Sequence, residues 1–127
     1  MLRLVAILPT GLIVSGCTDF NESEALDPSP VLGCYVAADA PSLSVQSNGV
    51  RVGQSSEILP LQYEQRKVGM VLSIQMIASV DRGKLEIRSG DTHLYRVLGT
   101  EKGPVIRVAA NPDGTLWHYE RRSQDPC

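Results

Sequence analysis

The side chains best suited to chemistry in this sequence belong to three cysteines and two histidines. His93 lies just past a predicted turn, Ser89-Gly90-Asp91, and the nearby Asp91 carboxylate could orient its imidazole as a general base. His118 lies between two aromatic residues, on the predicted outer face of the last strand. The two histidines show no metal-ligand spacing, so we expect no metal site. We interpret both as solvated surface residues.

The sequence contains none of the short motifs that build common catalytic sites. It has no Gly-x-Ser-x-Gly or Ser-x-x-Lys motif for a serine nucleophile. It also has no phosphate-binding loop, no dinucleotide fingerprint and no His-Glu-x-x-His metal motif. We therefore predict a protein that is not an enzyme and needs no cofactor. An enzyme that uses His93 or His118 in a triad assembled from distant residues stays an alternative.

Charge and composition exclude one large class of partner. The chain has 127 residues, of which 14 are acidic and 12 basic, and its formal net charge is −2. Nucleic-acid-binding domains normally present a basic face, and single-strand binders add aromatic platforms, whereas aromatic residues make up 5% here. We expect no nucleic-acid partner. A hydrophobic share of 43% is sufficient for one domain with a core.

The N-terminal residues have the organisation of an export signal. A single positive charge at Arg3 precedes a mostly apolar stretch, residues 4–14. This stretch is too short to cross a bilayer, which takes about 20 residues. It fits the hydrophobic region of a secretory signal peptide, and it ends directly before two small residues and a cysteine.

The block Val14-Ser15-Gly16-Cys17 resembles the lipobox of bacterial lipoproteins. The resemblance implies cleavage between Gly16 and Cys17, lipidation of the Cys17 thiol and attachment to a membrane through the lipid. Each buried CH₂ contributes about 0.8 kcal/mol, so two or three acyl chains anchor a protein stably. Thr18 follows the cysteine, and in Gram-negative lipoproteins this favours the outer membrane, facing the periplasm. The alternatives are an ordinary signal peptide with a chance cysteine, or an N-terminal core strand.

Composition divides the rest of the chain into two parts. The segment from Thr18 to Pro30 contains four acidic residues, no basic residue and two prolines near its end. We predict that residues 17–30 are the lipidated cysteine and a disordered acidic tether, with a partner-binding peptide as the alternative. Residues 31–127 are then a single small β domain.

That domain shows two-residue hydrophobic alternation between closely spaced turn signals. The fold class is therefore all-β: a small antiparallel meander of about eight or nine short strands, closed or partly closed into a barrel, with a two-sheet sandwich as the alternative. Pro60 indicates an edge or a bulge within its strand. We predict strands at 33–38, 42–47, 49–53, 57–65, 68–80, 83–89, 92–99, 104–110 and 114–121.

The two cysteines that remain after Cys17 predict a disulfide bond. Cys34 lies on the first predicted strand and Cys127 follows the last one, and a meander that closes brings these strands together. An exported protein meets an oxidising compartment, where disulfides form and persist. A bridge over so long a loop contributes roughly 4–5 kcal/mol to the stability of the folded state. Two free thiols are the alternative.

One further cluster could bind a ligand or a partner. Arg66 and Lys67 form a basic pair close to Tyr63, which could hold an anion, although a polar turn explains the same residues. We predict a lipid-anchored envelope protein with a non-enzymatic β domain for binding or structural support. The alternatives are a barrel similar in size and anchor to lipoprotein inhibitors of lysozyme, and a barrel that binds a small ligand at its mouth.

Overall fold

The computed structural model describes residues 29–67 and 69–127. The predicted signal peptide, Cys17 and the tether up to residue 28 lie outside these residues. Within these residues a 3-10 turn, Ser29–Val31, precedes nine strands. The strands are β1 (Gly33–Val36), β2 (Leu43–Gln46), β3 (Gly49–Val52), β4 (Ile58–Leu59), β5 (Leu61–Arg66), β6 (Gly69–Asp81), β7 (Lys84–Thr100), β8 (Gly103–Ala110) and β9 (Thr115–Ser123).

The strands form one antiparallel sheet that curls into a nearly closed barrel. The order around the sheet is β4-β3-β2-β1-β9-β8-β7-β6-β5, so that the first strand pairs with the last. The two edge strands, β4 and β5, are neighbours in the chain and are separated by Pro60. The amide of Gln75 donates a hydrogen bond of 3.1 Å to the Pro60 carbonyl at this edge. The predicted all-β meander is confirmed, and the predicted strand 57–65 divides at its proline, which cannot donate to a ladder.

The barrel interior is filled by side chains. Alternate residues of most strands point inwards, and the largest fully buried ones are Tyr35, Tyr119, Leu43, Leu72, Ile74 and Met76. Buried tyrosine hydroxyls need hydrogen-bond acceptors, and backbone carbonyls provide them. Tyr35 donates to Val31 at 2.7 Å, Tyr95 to Met76 at 3.0 Å and Tyr119 to Pro41 at 2.7 Å. The interior is therefore a packed core.

The predicted turn at residues 89–91 is wrong. β7 runs without interruption from Lys84 to Thr100, and what the turn signal marks is a register shift against β6. Gln75 lies opposite Thr92, while the next residue of β6, Met76, lies opposite Ser89. A side chain at Gly90 would collide with Ile77. The glycine allows two strands to pack closely at a bend, a role that the turn composition of the sequence does not distinguish.

Beyond that bend, the hairpin formed by residues 76–89 covers one end of the barrel. Asn111, between β8 and β9, donates to the Ala78 carbonyl at 2.9 Å and accepts from the Val80 amide at 3.2 Å. The amide of Leu85 donates to the carbonyl of Asp39, between β1 and β2, at 2.8 Å. These hydrogen bonds connect the hairpin to two loops from separate parts of the sheet. We name residues 76–89 the covering hairpin.

The opposite end holds the first described residues and the C-terminus. Val31 is buried there, and the Arg121 guanidinium donates to the carbonyls of Pro30 at 2.9 Å and Leu32 at 3.2 Å. Cys34 and Cys127 form a disulfide bond with their Cα atoms 4.7 Å apart, as the sequence predicts. Within the described part of the chain, no helix has the length and apolarity needed to cross a membrane.

Candidate functional site

The two histidines lie on the outside of the barrel, and neither has a carboxylate partner among the described residues. His93 is exposed, and its Nδ1 lies 3.0 Å from the backbone oxygen of Asp91 rather than from the carboxylate. His118 is exposed on β9 and lies directly opposite Arg107 of β8. Among residues 29–67 and 69–127, no group of three or more His, Cys, Asp and Glu side chains is placed to hold a metal ion.

The structure separates the members of the basic patch predicted from the sequence. The Tyr63 side chain packs against the core, and its hydroxyl donates to the Gln46 carbonyl at 2.9 Å. Arg66 and Lys67 are exposed, and Arg66 forms an ion pair of 2.6 Å with Glu64 on the outer face. An exposed pair of this kind contributes little energy. The two basic residues share a surface, but the tyrosine hydroxyl is directed elsewhere.

A groove between β7 and β8 is the most distinctive feature of the outer surface. The two strands pair only next to their turn, as far as Val97 opposite Ile106. Beyond this pair they separate, and a cavity of about 260 Å³ opens between them. We name it the β7–β8 groove, and it is lined by His93, Leu94, Tyr95, Arg96, Arg107, Ala109 and Leu116.

The lining of the β7–β8 groove combines apolar surface with unneutralised positive charge. Leu94 and Leu116 are 52% and 48% exposed, the two large hydrophobic side chains in the described chain that are most open to water. Neither Arg96 nor Arg107 has an ion-pair partner among the described residues, and no acidic side chain lines the groove. The Nε of Arg107 is buried and has no hydrogen-bond partner.

A second groove, the mouth groove, lies at the end of the barrel that holds the first described residues, including Pro30 and Val31. Its volume is about 500 Å³ and most of its lining is apolar. Val31 and Met70 contribute from the N-terminal segment and β6, and Val97 and Pro104 contribute from β7 and β8. Adjoining it, an open and more polar cavity of about 760 Å³ surrounds the β7–β8 turn and includes Glu120 and Arg121.

Sequence reasoning missed the β7–β8 groove, although part of its signal was present. Alternation places Tyr95, Trp117 and Tyr119 on the inner face, so that Leu94 and Leu116 must face outwards. Outward leucines on neighbouring strands could have indicated a contact surface. The separation of β7 from β8 has no local sequence signal. Comparison with models of protein families, with curated proteins and with solved structures finds no match to this chain.

Proposed function

We propose that the protein is a lipid-anchored lipoprotein of the bacterial cell envelope, whose β domain binds a partner or supports a structure without catalysing a reaction. In a Gram-negative cell it would lie at the outer membrane, facing the periplasm. The observation that carries the proposal is the Cys34–Cys127 disulfide in a chain that opens with a lipobox-like leader. Disulfides persist in oxidising compartments, so the chemistry of the domain agrees with export.

Binding is favoured over catalysis by the way the described residues are arranged. His93 is exposed on the outer wall, and its Nδ1 contacts a backbone oxygen, so no carboxylate is placed to raise the basicity of its ring among the described residues. The barrel interior is occupied by core side chains such as Leu72 and Ile74. Accessible apolar and charged side chains line instead the groove on the outer wall and the groove at the mouth, where a partner can reach them.

Metabolic labelling with palmitate tests the anchor. The wild-type protein should incorporate the label, and Cys17→Ser should abolish it, because a serine hydroxyl cannot form the thioether. The matched control removes the other two thiols, Cys34→Ser with Cys127→Ser, and should keep the label. Membrane-extracted protein with an intact N-terminus at Met1 would overturn the proposal.

A second candidate function is the binding of a small apolar ligand in the mouth groove, which its apolar lining favours. Ligand pockets combine an apolar lining with a few polar groups at the rim. A fluorescent fatty acid should bind the purified protein, and Met70→Glu should weaken that binding by placing a charge in the groove. Lys84→Glu, at the tip of the covering hairpin, is the control because it introduces the same residue outside the groove. Equal binding by both variants would contradict this candidate.

A further inference from the structure

The shape of the β7–β8 groove fits an extended polypeptide. Pairing between the two strands runs from the residues beside their turn, Thr100 and Gly103, to Val97 and Ile106. Both strands continue past this point without pairing to each other. A strand edge that its neighbour leaves uncovered is a template for another strand, and many domains bind peptides in this way.

The charge of the groove selects an acidic occupant. Arg96 projects from β7 and Arg107 from β8, so one guanidinium lies on each side of the groove. No carboxylate in the described residues neutralises either of them, and the Nε of Arg107 is buried without an acceptor. A carboxylate bound between them would accept charge-assisted hydrogen bonds from the guanidinium groups.

The apolar part of the lining favours a peptide over a lipid surface. Leu94 and Leu116 lie on β7 and β9 and are about half exposed. An anionic membrane is attracted by a broad face with many cations, whereas this narrow groove has two arginines with a leucine on each side. In an extended segment, side chains two residues apart lie on the same face, so a segment with an acidic residue at position i and an apolar residue at i+2 presents both kinds of group to the groove.

We propose that the β7–β8 groove binds an extended acidic segment of another envelope protein, with a carboxylate between Arg96 and Arg107 and apolar side chains against Leu94 and Leu116. The inference rests on the proposed function, that the β domain binds a partner, and it names the chemistry of that partner.

The test uses the full chain purified in detergent from the membranes of bacteria that express it. The probe is a short fluorescent peptide in which Glu and Val take turns at every second position, with Thr between them, so that both lie on one face of the extended chain, and its control replaces Glu with Lys. The acidic peptide should bind, as measured by fluorescence anisotropy, while the basic one should not. Arg96→Glu combined with Arg107→Glu should weaken binding at least about tenfold, because like charges then face the probe. Arg82→Glu, at the exposed tip of the covering hairpin, should leave binding unchanged.

Three further measurements control for folding and test the apolar and electrostatic parts of the contact. Thermal unfolding is recorded for each variant, and Arg107→Gln replaces the full charge reversal if that variant unfolds. Leu94→Ser combined with Leu116→Ser changes exposed side chains only, and it should weaken peptide binding about threefold or more. Binding should also weaken as salt is added, because the contact between the carboxylate and the arginines is electrostatic.

Four outcomes would overturn the inference. The first is equal binding of the probe by the charge-reversed and wild-type proteins. The second is binding of anionic vesicles, but not of the peptide, through the arginines. The third is binding of the probe only after residues 18–28 are deleted, since the acidic segment of the chain itself would then occupy the groove. The fourth is a dimer that Leu94→Ser dissociates. If Cys17 is labelled but the peptide does not bind, only this inference is overturned. If the peptide binds but Cys17 is not labelled, only the proposed anchor is overturned.

Discussion

The β1–β9 and β7–β8 junctions each pair over only three or four residues, and they differ in what covers the rest. β1 and β9 pair between Cys34 and Ser123, Tyr35 and Arg121, and Val36 and Glu120. β7 and β8 pair over four residues beside their turn and then separate. The first junction joins the two ends of the domain, whereas the second joins consecutive strands.

The β1–β9 junction is closed by contacts that extend beyond its ladder. The Cys34–Cys127 disulfide crosses it, and the guanidinium of Arg121 reaches the carbonyls of Pro30 and Leu32. The C-terminal tail continues across β2, where the Cys127 amide donates to the Ser44 hydroxyl at 3.3 Å. A side chain at Gly33, whose φ is +144°, would collide with the Ser123 carbonyl. This close approach requires glycine.

The β7–β8 junction has no comparable covering in the described residues. Its opening leaves leucine and arginine side chains without partners on an outer wall where polar, solvated residues are the norm. Short pairing therefore does not by itself create a binding surface. The contrast indicates that the contacts around a junction decide whether it is a structural closure or an available groove.

The largest expected effect comes from breaking the closed junction. Cys34→Ser combined with Cys127→Ser should lower the free energy of unfolding by roughly 4–5 kcal/mol, because the bond spans 93 residues of sequence and restricts the unfolded chain. Urea unfolding measures the loss. Reduction of the wild-type protein should produce a similar loss and should have no effect on the double variant. Labelling of both cysteines by an alkylating agent in the unreduced, denatured protein would contradict the bridge.

A smaller effect is expected at the bend that starts the covering hairpin. Gly90→Ala places a methyl group against the Ile77 side chain, which must move, and overpacking of this kind costs about 1–3 kcal/mol of stability. Gly99→Ala is the matched control on the same strand, because its new methyl group would meet nothing within 4 Å. Thermal unfolding measures both variants. Ile77→Ala should restore part of the stability of Gly90→Ala, and a fully additive double variant would show that the two residues do not interact.

Reasoning from the sequence predicted the fold correctly where it could use hydrophobic alternation or the pairing of cysteines. Alternation identified the strands, Pro60 marked the place where β4 gives way to β5, and the cysteines identified the closing junction. It failed at Gly90, because glycine is common both in turns and at positions of close packing, and local composition does not separate these cases. The register of β6 against β7 resolves the difference, and register depends on residues distant in sequence.

The candidate site was less predictable than the fold. The basic pair of Arg66 and Lys67 was conspicuous in the sequence, but Arg66 forms an ion pair with Glu64. Arg96 and Arg107 were inconspicuous, and the separation of two strands brings them to one groove. Tertiary structure determines which charged side chains have partners. Reasoning from the sequence alone therefore singles out charged residues that are adjacent in the chain and overlooks those that the fold brings together.

Alkaline pH tests the contribution of the buried tyrosine side chains to the stability of the barrel. Burial raises the pKa of Tyr35, Tyr63 and Tyr95 from 10.0 to about 12. The folded protein therefore keeps these protons at a pH at which the unfolded chain releases them, so stability should be complete below about pH 10 and should fall as pH rises towards 12. Tyr35→Phe should reduce this pH dependence, and it should cost about 1 kcal/mol at neutral pH through the lost hydrogen bond to Val31. Unfolding midpoints that do not change between pH 9 and 11 would contradict the prediction.

The smallest effect on stability is expected at the β7–β8 groove. Leu94 and Leu116 are about half exposed, and neither belongs to the buried core. Leu94→Ser combined with Leu116→Ser should change the free energy of unfolding by less than about 0.5 kcal/mol per site, the range of ordinary surface substitutions. Leu72→Ser, which buries a hydroxyl within the core, is the contrasting control and should be strongly destabilising. If the groove variant unfolds as readily as that control, the two leucines have a structural role. The contrast between a closed junction that stabilises the domain and an open one that is free to bind would then fail.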